Sequence, residues 1–544
     1  MGGTAFGGMA QKKMAATSNV YKMIVVIIWQ FFFFPSVIIF TNTGSDNSTL
    51  TTFLVGLLSG HRRHYDLLVA VLSARENEAQ RRVLRDTWVG ETYRDPTLRD
   101  RVLVRFVVGS EGCSIPPADR EDYYSCSLLN VTNSGVSEDL IAVVALSGSR
   151  RAFEASLVHA ATLALDFTVR HPVVITHLGV FTDVHTSSTT NATVQLYNRA
   201  MQLLVAWTHF SSQSPGFHRD GCSYKPVQQF VLPRGFEGSV VWEGLGPTDM
   251  VITDARQLVF GDGGGAIRFS LTGRYGENDG EFPDFRAEQP LVAGSFIFSV
   301  HDKNGLDKFL AGKPDRLQKW TEKQHHMSEA LKQEAQSFGD ILFIDGLVDV
   351  YRHLPHKVLR FCTWAVESLD FFMILKTDDD SYLDVAEILR NAAKQGFMQR
   401  SHIWWGSFRR NWAVDHVGKW AEGSYPAPAY PSFACGAAYV LSVDLARWLQ
   451  ANVANLKPYQ GEDVSMGIWM AAIGPTRIHD PRWLCDAACA PGMLVSPQLS
   501  SDTLYSMWNR RHTCGDPCSD CQRHDVELPR GQQTSHNLKV SPDL

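Results

Sequence analysis

The chain has 544 residues, more than one average domain, and 44% of them are apolar, enough to fill more than one core. A formal net charge of -6 at pH 7 excludes general nucleic-acid binding, which needs a basic face. No long block of like charge appears.

Lys12, Lys13 and Lys22 lie in a leader without acidic residues, before an apolar stretch over residues 23–40 broken only by Gln30, Pro35 and Ser36. That length spans a bilayer with modest adjustment. A long basic leader and the lack of a small-x-small site after Phe40 favour an uncleaved anchor over a signal peptide. Residues 1–22 then form a cytosolic tail, and everything after the span is luminal. Residues 41–63, rich in Thr, Ser, Asn and Gly, read as a stem. Sequons at Asn47, Asn130 and Asn191 all follow the span and fit this topology.

A first strand is predicted over residues 66–73, ending at Ser73, followed by a polar helix with Arg81 and Arg85 and a second strand leading to Gly109. Strand, basic helix, strand is the opening of a nucleotide-binding α/β half. Ser73, Arg75, Arg81 and Arg85 are therefore candidate donor contacts; Arg81 and Arg85 equally suit helix surface charges. Residues 64–110 form this first part.

Residues 111–290 read differently. Short β-branched and aromatic runs, such as Val173-Val174-Ile175-Thr176 and Gly238-Ser239-Val240-Val241-Trp242, alternate with turn residues. They predict an inserted β-sandwich-like module. Gly261-Asp262-Gly263-Gly264-Gly265 inside it is a hairpin turn rather than a phosphate loop, because it lacks the strand-to-helix context. Glycan binding and a structural role stand as its two readings.

Residues 291–522 return to the α/β pattern, and residues 523–544 form a polar tail. Phe371-Phe372-Met373-Ile374-Leu375 reads as a buried strand running into Lys376, Thr377 and the triplet Asp378-Asp379-Asp380. Adjacent carboxylates resist ionising together, so this triplet calls for a hard cation, Mn²⁺ or Mg²⁺, shared with substrate phosphates. Lys376 joins the donor candidates. Of the aromatics that follow, Trp404, Trp405, Trp412, Trp420, Tyr425 and Tyr430, we select Trp412 and Tyr430 to face an acceptor sugar and assign Trp404 or Trp405 to the core. Gly461-Glu462-Asp463-Val464 opens a short helix; Asp463 is the candidate general base and Glu462 an acceptor contact.

Ten cysteines in an oxidising lumen predict disulfides, with pairing open. Zinc competes through Cys518-x-x-Cys521, but a single CxxC is weak support for it.

Arg85-x-Thr87-Trp88, Phe106-x-x-Gly109, Lys376-Thr377-Asp378-Asp379-Asp380 and Glu462-Asp463-Val464, in that order, resemble the β1,3-glycosyltransferase family. Asp349-x-Tyr351, Trp405-Gly406 and Tyr430-Pro431 followed by Cys435-Gly436 extend the resemblance. It implies an inverting enzyme with a GT-A nucleotide-sugar-binding domain, a metal held by Asp380 with Asp378 or Asp379 assisting, and Asp463 as base toward the acceptor 3-hydroxyl. Residues 411–415 and 461–474 resemble the members that use UDP-GalNAc. This implies a terminal β-linked GlcNAc acceptor on glycoprotein glycans, of the O-mannosyl class, in the endoplasmic reticulum or Golgi. Another UDP-sugar, or a luminal glycan-binding protein without activity, are the alternatives. The family often carries a late histidine at the metal; Met493-Leu494-Val495-Ser496-Pro497-Gln498 has none, leaving an extra water or Gln498 in its place.

Overall fold

The computed structural model describes residues 63–519 apart from 133–138, 146–161, 183–190, 245–249, 277–281, 284, 287–289 and 416–417. The predicted anchor, the stem, Asn47 and the C-terminal tail lie outside the described residues. Among those described, no helix is long and apolar enough to cross a membrane. The site residues belong to one compact unit of Tyr65–Glu367 and Phe371–Leu544; Met1–His64 and Ser368–Asp370 cluster separately.

The protein is mixed α/β. Its main sheet contains β1 (His64–Leu72), β2 (Val102–Glu111), β3 (Ile341–Val348), β4 (Asp370–Asp378), β5 (Ile403–Arg409), β6 (Phe433–Ser442) and β7 (Thr476–His479). The order across it is β3-β2-β1-β4-β6-β5-β7. β1, β2 and β3 are mutually parallel, with Leu67 opposite Val102 and Ile341 opposite Phe106. β6 runs antiparallel to β4, with Lys376 opposite Tyr439. Alternate residues share a face, so Leu67, Val69 and Val71 join Val104, Phe106, Met373, Leu375 and Val440 in one core. Each such side chain contributes about 1.5–3 kcal/mol on leaving water.

Helix α1 (Glu78–Asp86) carries the crossover from β1 to β2 and buries Arg81, Val83 and Leu84. Helix α2 (Lys313–Phe338) stops at Gly339, whose φ of +65° suits a left-handed helix end. Helix α3 (Glu462–Ala471) begins after Gly461, with two acidic residues in its first turn where the dipole favours them. The chain leaves β1 in one direction for β2 and β3, and places β4 on the other side. Ligands of open α/β sheets sit at that reversal, outside the strand ends. The Asp379 N–H donates to Leu72 O at 3.2 Å, which fixes the acidic triplet there.

The insertion consists of two antiparallel sheets around one apolar core. Thr162–Val169, Ala192–Asn198, Leu203–Phe210, Glu237–Gly244 and Ile267–Gly276 belong to one; Val173–Phe181, Cys222–Pro226 and Gly294–Val300 belong to the other. Phe167 meets Phe296 between them at 5.3 Å. Gly294–Val300 pairs with Val173–Phe181, so this sheet runs past the expected boundary at residue 290. The reason is a long-range pairing that a linear composition shift does not record. Residues 263–265 form a turn with φ of 66°, 72° and 88°. Asn130 is exposed and Asn191 half-buried.

Disulfides join Cys113 to Cys126, Cys435 to Cys485, and Cys489 to Cys518; Cys514 is also disulfide-bonded. Cys222 and Cys362 remain buried thiols, which burial pushes up to about 12.

Candidate active site

The three aspartates occupy different environments. Asp378 lies 2.9 Å from Lys376 Nζ. Asp379 is buried, accepts from Asn77 Nδ2 at 2.9 Å and from Ser73, and its carboxyl is pushed by burial up to about 6. Asp380 takes hydroxyl and backbone donors, Ser381 Oγ at 3.4 Å and the Gln498 N–H, while burial and then Asp378 raise its pKa. Gln498 holds a φ of +58°, uncommon for a residue with a side chain. The Leu499 N–H donates to the Asp380 carbonyl at 2.9 Å, so the backbone of this segment meets the motif where the family often has histidine.

Among the described residues no group of three or more His, Cys, Asp or Glu side chains forms a metal cage. Mg²⁺-type ions are nevertheless held by one or two carboxylates plus substrate phosphates. Asp380 and Asp378 carry the carboxylate oxygens that such partial ligation would use. Asp379, turned toward Asn77 and Ser73, orients the loop instead.

Four of the proposed donor contacts are spent on the protein itself. Arg81, fully buried, grips Glu334 through Nε and Nη2 at 2.9 and 2.7 Å and reaches Ser73 Oγ at 2.8 Å. Arg85 grips Asp340 at 2.8 and 2.9 Å and Glu334 at 2.6 Å. Lys376, also buried, contacts Asp378, Glu462 and the Gly436 carbonyl. Arg75 donates to Gly109 O, Ser110 O and Ser328 Oγ. These cations tie helices and loops to the ends of β1 and β4, a role the sequence shows only as basic residues. A cavity of about 360 Å³ opens beside them, lined by Arg75, Glu76, Arg81, Lys323, His326 and Glu334. None of the three aspartates lines it, so the arginines build the wall beside the acidic motif.

At the start of α3, Glu462 and Asp463 diverge. Glu462 is buried, with one oxygen on Tyr439 Oη and the other 2.9 Å from Lys376 Nζ; burial pushes it up to about 7. Both oxygens are engaged, so the expected acceptor contact is a bridge inside the fold. Asp463 is half-buried, accepts from its neighbour's N–H at Val464 (2.9 Å), and is raised by burial against the pull of Lys376. A Cβ at Gly436 would stand 3.2 Å from Asp463 Oδ2. Glycine there leaves this oxygen room to accept a proton.

Of the two aromatics chosen for the acceptor, Trp412 is exposed beneath Arg409 at 4.3 Å, and Tyr430 is buried against Tyr425 and Phe433. The sequence reading did not single out Tyr351. Burial, then the charge of Asp463, pushes its hydroxyl up to about 12. Lys419 Nζ stands 4.3 Å from the Tyr351 ring centre. The Asp349-x-Tyr351 motif was the one available signal. Asp349 explains its own half of it by pairing with buried Lys357 at 2.6 Å.

Residues 309–481 match the family described as Galactosyltransferase. UDP-GalNAc:beta-1,3-N-acetylgalactosaminyltransferase 2 of Danio rerio is 44% identical over 456 residues, covering 83% of this chain and 91% of the relative. Its Homo sapiens counterpart is 43% identical over 461 residues, with 84% and 90% covered. Beta-1,3-galactosyltransferase 6 of Mus musculus is 37% identical over 203 residues, 37% of this chain and 61% of the relative. Identity at this level across nearly the whole length of two relatives, together with the acidic motif and Glu462 of α3 held on Lys376, means that the chain belongs to the β1,3-glycosyltransferase family.

Proposed function

We propose that this protein is an inverting glycosyltransferase of the GT-A type. It moves N-acetylgalactosamine from UDP-GalNAc in β1,3 linkage to a terminal GlcNAc of a glycoprotein glycan, of the O-mannosyl class. The names of the relatives support the donor and the linkage. The observation that carries the reading is the arrangement around Lys376: Asp378 on one side, and Glu462 in the first turn of α3 on the other.

Asp463 accepts the proton of the acceptor 3-hydroxyl as that oxygen forms its bond to the anomeric carbon, on the face opposite UDP. The bond from the anomeric carbon to the diphosphate breaks, and an α-linked donor becomes a β-linked product. Glu462, held by Lys376 and Tyr439, fixes the first turn of α3 and so the position of Asp463. Asp380, with Asp378, would hold Mn²⁺ or Mg²⁺, whose charge offsets that of the departing diphosphate. Anchoring through residues 23–40 would place the site in the lumen of the endoplasmic reticulum or Golgi.

The test incubates the full-length protein with Mn²⁺, a β-GlcNAc-terminated acceptor, and in turn UDP-GalNAc, UDP-GlcNAc and UDP-galactose. Proton NMR of the product should give a β-anomeric GalNAc on O3. The match to the galactosyltransferase family favours one competing outcome, β1,3-galactose, which would reassign the donor. Absence of transfer and of UDP release from all three donors would favour a glycan-binding protein.

A further inference from the structure

Three segments far apart in sequence meet around the Tyr351 ring. Tyr124 comes from the loop closed by the Cys113–Cys126 disulfide, and its ring meets that of Tyr351 edge-on at 5.6 Å. Tyr124 O also accepts the Arg352 N–H at 3.1 Å, so loop and Tyr351 are fastened by backbone as well as by rings. Lys419 Nζ lies 4.3 Å from the Tyr351 ring centre and 6.0 Å from that of Tyr124. Trp420, next in the chain to Lys419, is 56% exposed. Its exposed indole offers an apolar face beside that contact.

This group is tied to the catalytic helix. Gln460 Nε2 donates to Lys419 O at 2.8 Å, and the Gln460 N–H donates to Glu422 Oε2 at 2.8 Å. Gln460 stands three residues before Asp463, so movement of the Lys419-Trp420 segment is movement relative to the base. The same segment is tied to the sandwich: the Gly418 N–H donates to Glu237 Oε1 at 3.1 Å, at the first residue of the strand Glu237–Gly244.

From these contacts we propose that Tyr124, Tyr351 and Trp420, with Lys419, form the wall that receives the acceptor sugar, and that Glu237 of the inserted sandwich positions it. The inference rests on the transferase reading and specifies its acceptor side. A pyranose presents an apolar face and a rim of hydroxyls. The first packs on an aromatic ring, and the second needs donors and acceptors at the ring edge. Trp420 supplies the face; Lys419 and the Tyr351 hydroxyl supply the edge. Lys419 is fastened to Gln460, three residues before Asp463, so a sugar seated here lies on the side of the base. The insertion thereby has work at the active site: it holds one side of the acceptor wall.

The test uses the full-length protein and a β-GlcNAc-terminated acceptor, with two readouts. Initial rates give KM separately for acceptor and UDP-GalNAc. Saturation-transfer NMR reports acceptor binding without turnover. Trp420→Ala should raise the acceptor KM at least about tenfold, as truncation of an aromatic anchor does, and abolish the saturation-transfer signal, with the UDP-GalNAc KM within about twofold. Glu237→Ala should raise the acceptor KM about threefold with kcat little changed, since it removes one hydrogen bond to the wall. Tyr351→Phe keeps the ring and should lower kcat more than it raises the acceptor KM. If the wild type binds acceptor through Trp420 but transfers no GalNAc, the donor assignment fails and the wall stands. If the wild type transfers GalNAc and Trp420→Ala leaves acceptor KM and binding unchanged, the wall is overturned. Equal changes in donor and acceptor KM for Glu237→Ala would show a general structural role and overturn the part given to the sandwich.

Discussion

The Lys376 ammonium stands 2.9 Å from Glu462 Oε2, joining the end of β4 to the first turn of α3 inside the fold. The same nitrogen reaches Asp378 at 2.9 Å. One buried cation thus spaces Asp378 from the helix that carries Asp463, the proposed base. Removing one member of a buried ion pair typically costs 3–5 kcal/mol, because the other charge is left uncompensated. Lys376→Met should destabilise the protein on that order and abolish transfer, and the double variant Lys376→Met/Glu462→Leu should recover stability without recovering activity. Denaturant melts paired with transfer assays check both.

Asp463 is raised above an ordinary aspartate by burial. A base works only unprotonated, so transfer should be present above that pKa and lost as pH falls through it. The acid limb of kcat/KM should therefore lie above 3.8, the ordinary aspartate value. Asp463→Asn should cut transfer by about 10² to 10⁴ while UDP-GalNAc binding changes little. Loss of metal-dependent donor binding in this variant would move Asp463 to the metal side and leave the base to be found elsewhere.

Asp379 gives a stability test. Its folded carboxyl is pushed up to about 6 from an ordinary 3.8, so the folded state binds more protons than the unfolded between those values. The associated stability is fully present below the lower pKa and lost as pH rises through the upper. Asp379→Asn mimics the protonated form. In chelator-treated protein it should melt higher than wild type at pH 7.5, by up to about 3 kcal/mol, and the gap should close near pH 4. Thermal melts across that range decide it.

Arg81 and Arg85 share Glu334 inside the fold. Arg85→Ala should therefore lower stability by about 3–5 kcal/mol and leave the donor KM of the folded fraction nearly unchanged. A large rise in donor KM without a fall in melting temperature would restore Arg85 as a phosphate contact.

Topology is tested in cells. If the site is luminal, glycosidase treatment should increase the mobility of the protein through Asn130, which is exposed, and mature protein should retain residues 23–40. An N-terminus near Thr41 would show cleavage instead.

The sequence by itself determined the elements whose signal is local. The apolar run before Asp378 had to be a buried strand, since five consecutive apolar side chains are stable only with both faces covered. Ser73 at the end of the first strand, the acidic pair at a helix start, and the β-rich insertion were legible for the same reason: period and punctuation lie within a few residues. Tertiary structure decided where each charge is spent. Arg81 and Glu334 are 253 residues apart, and Lys376 and Glu462 are 86 apart by their numbering, yet each pair is in contact. Basic residues read as ligand contacts thereby became internal ties. The grouping of Tyr124, Tyr351 and Lys419 was equally hidden. A disulfide-closed loop, the residue after Val350, and a surface loop share no periodicity; only folding brings them together.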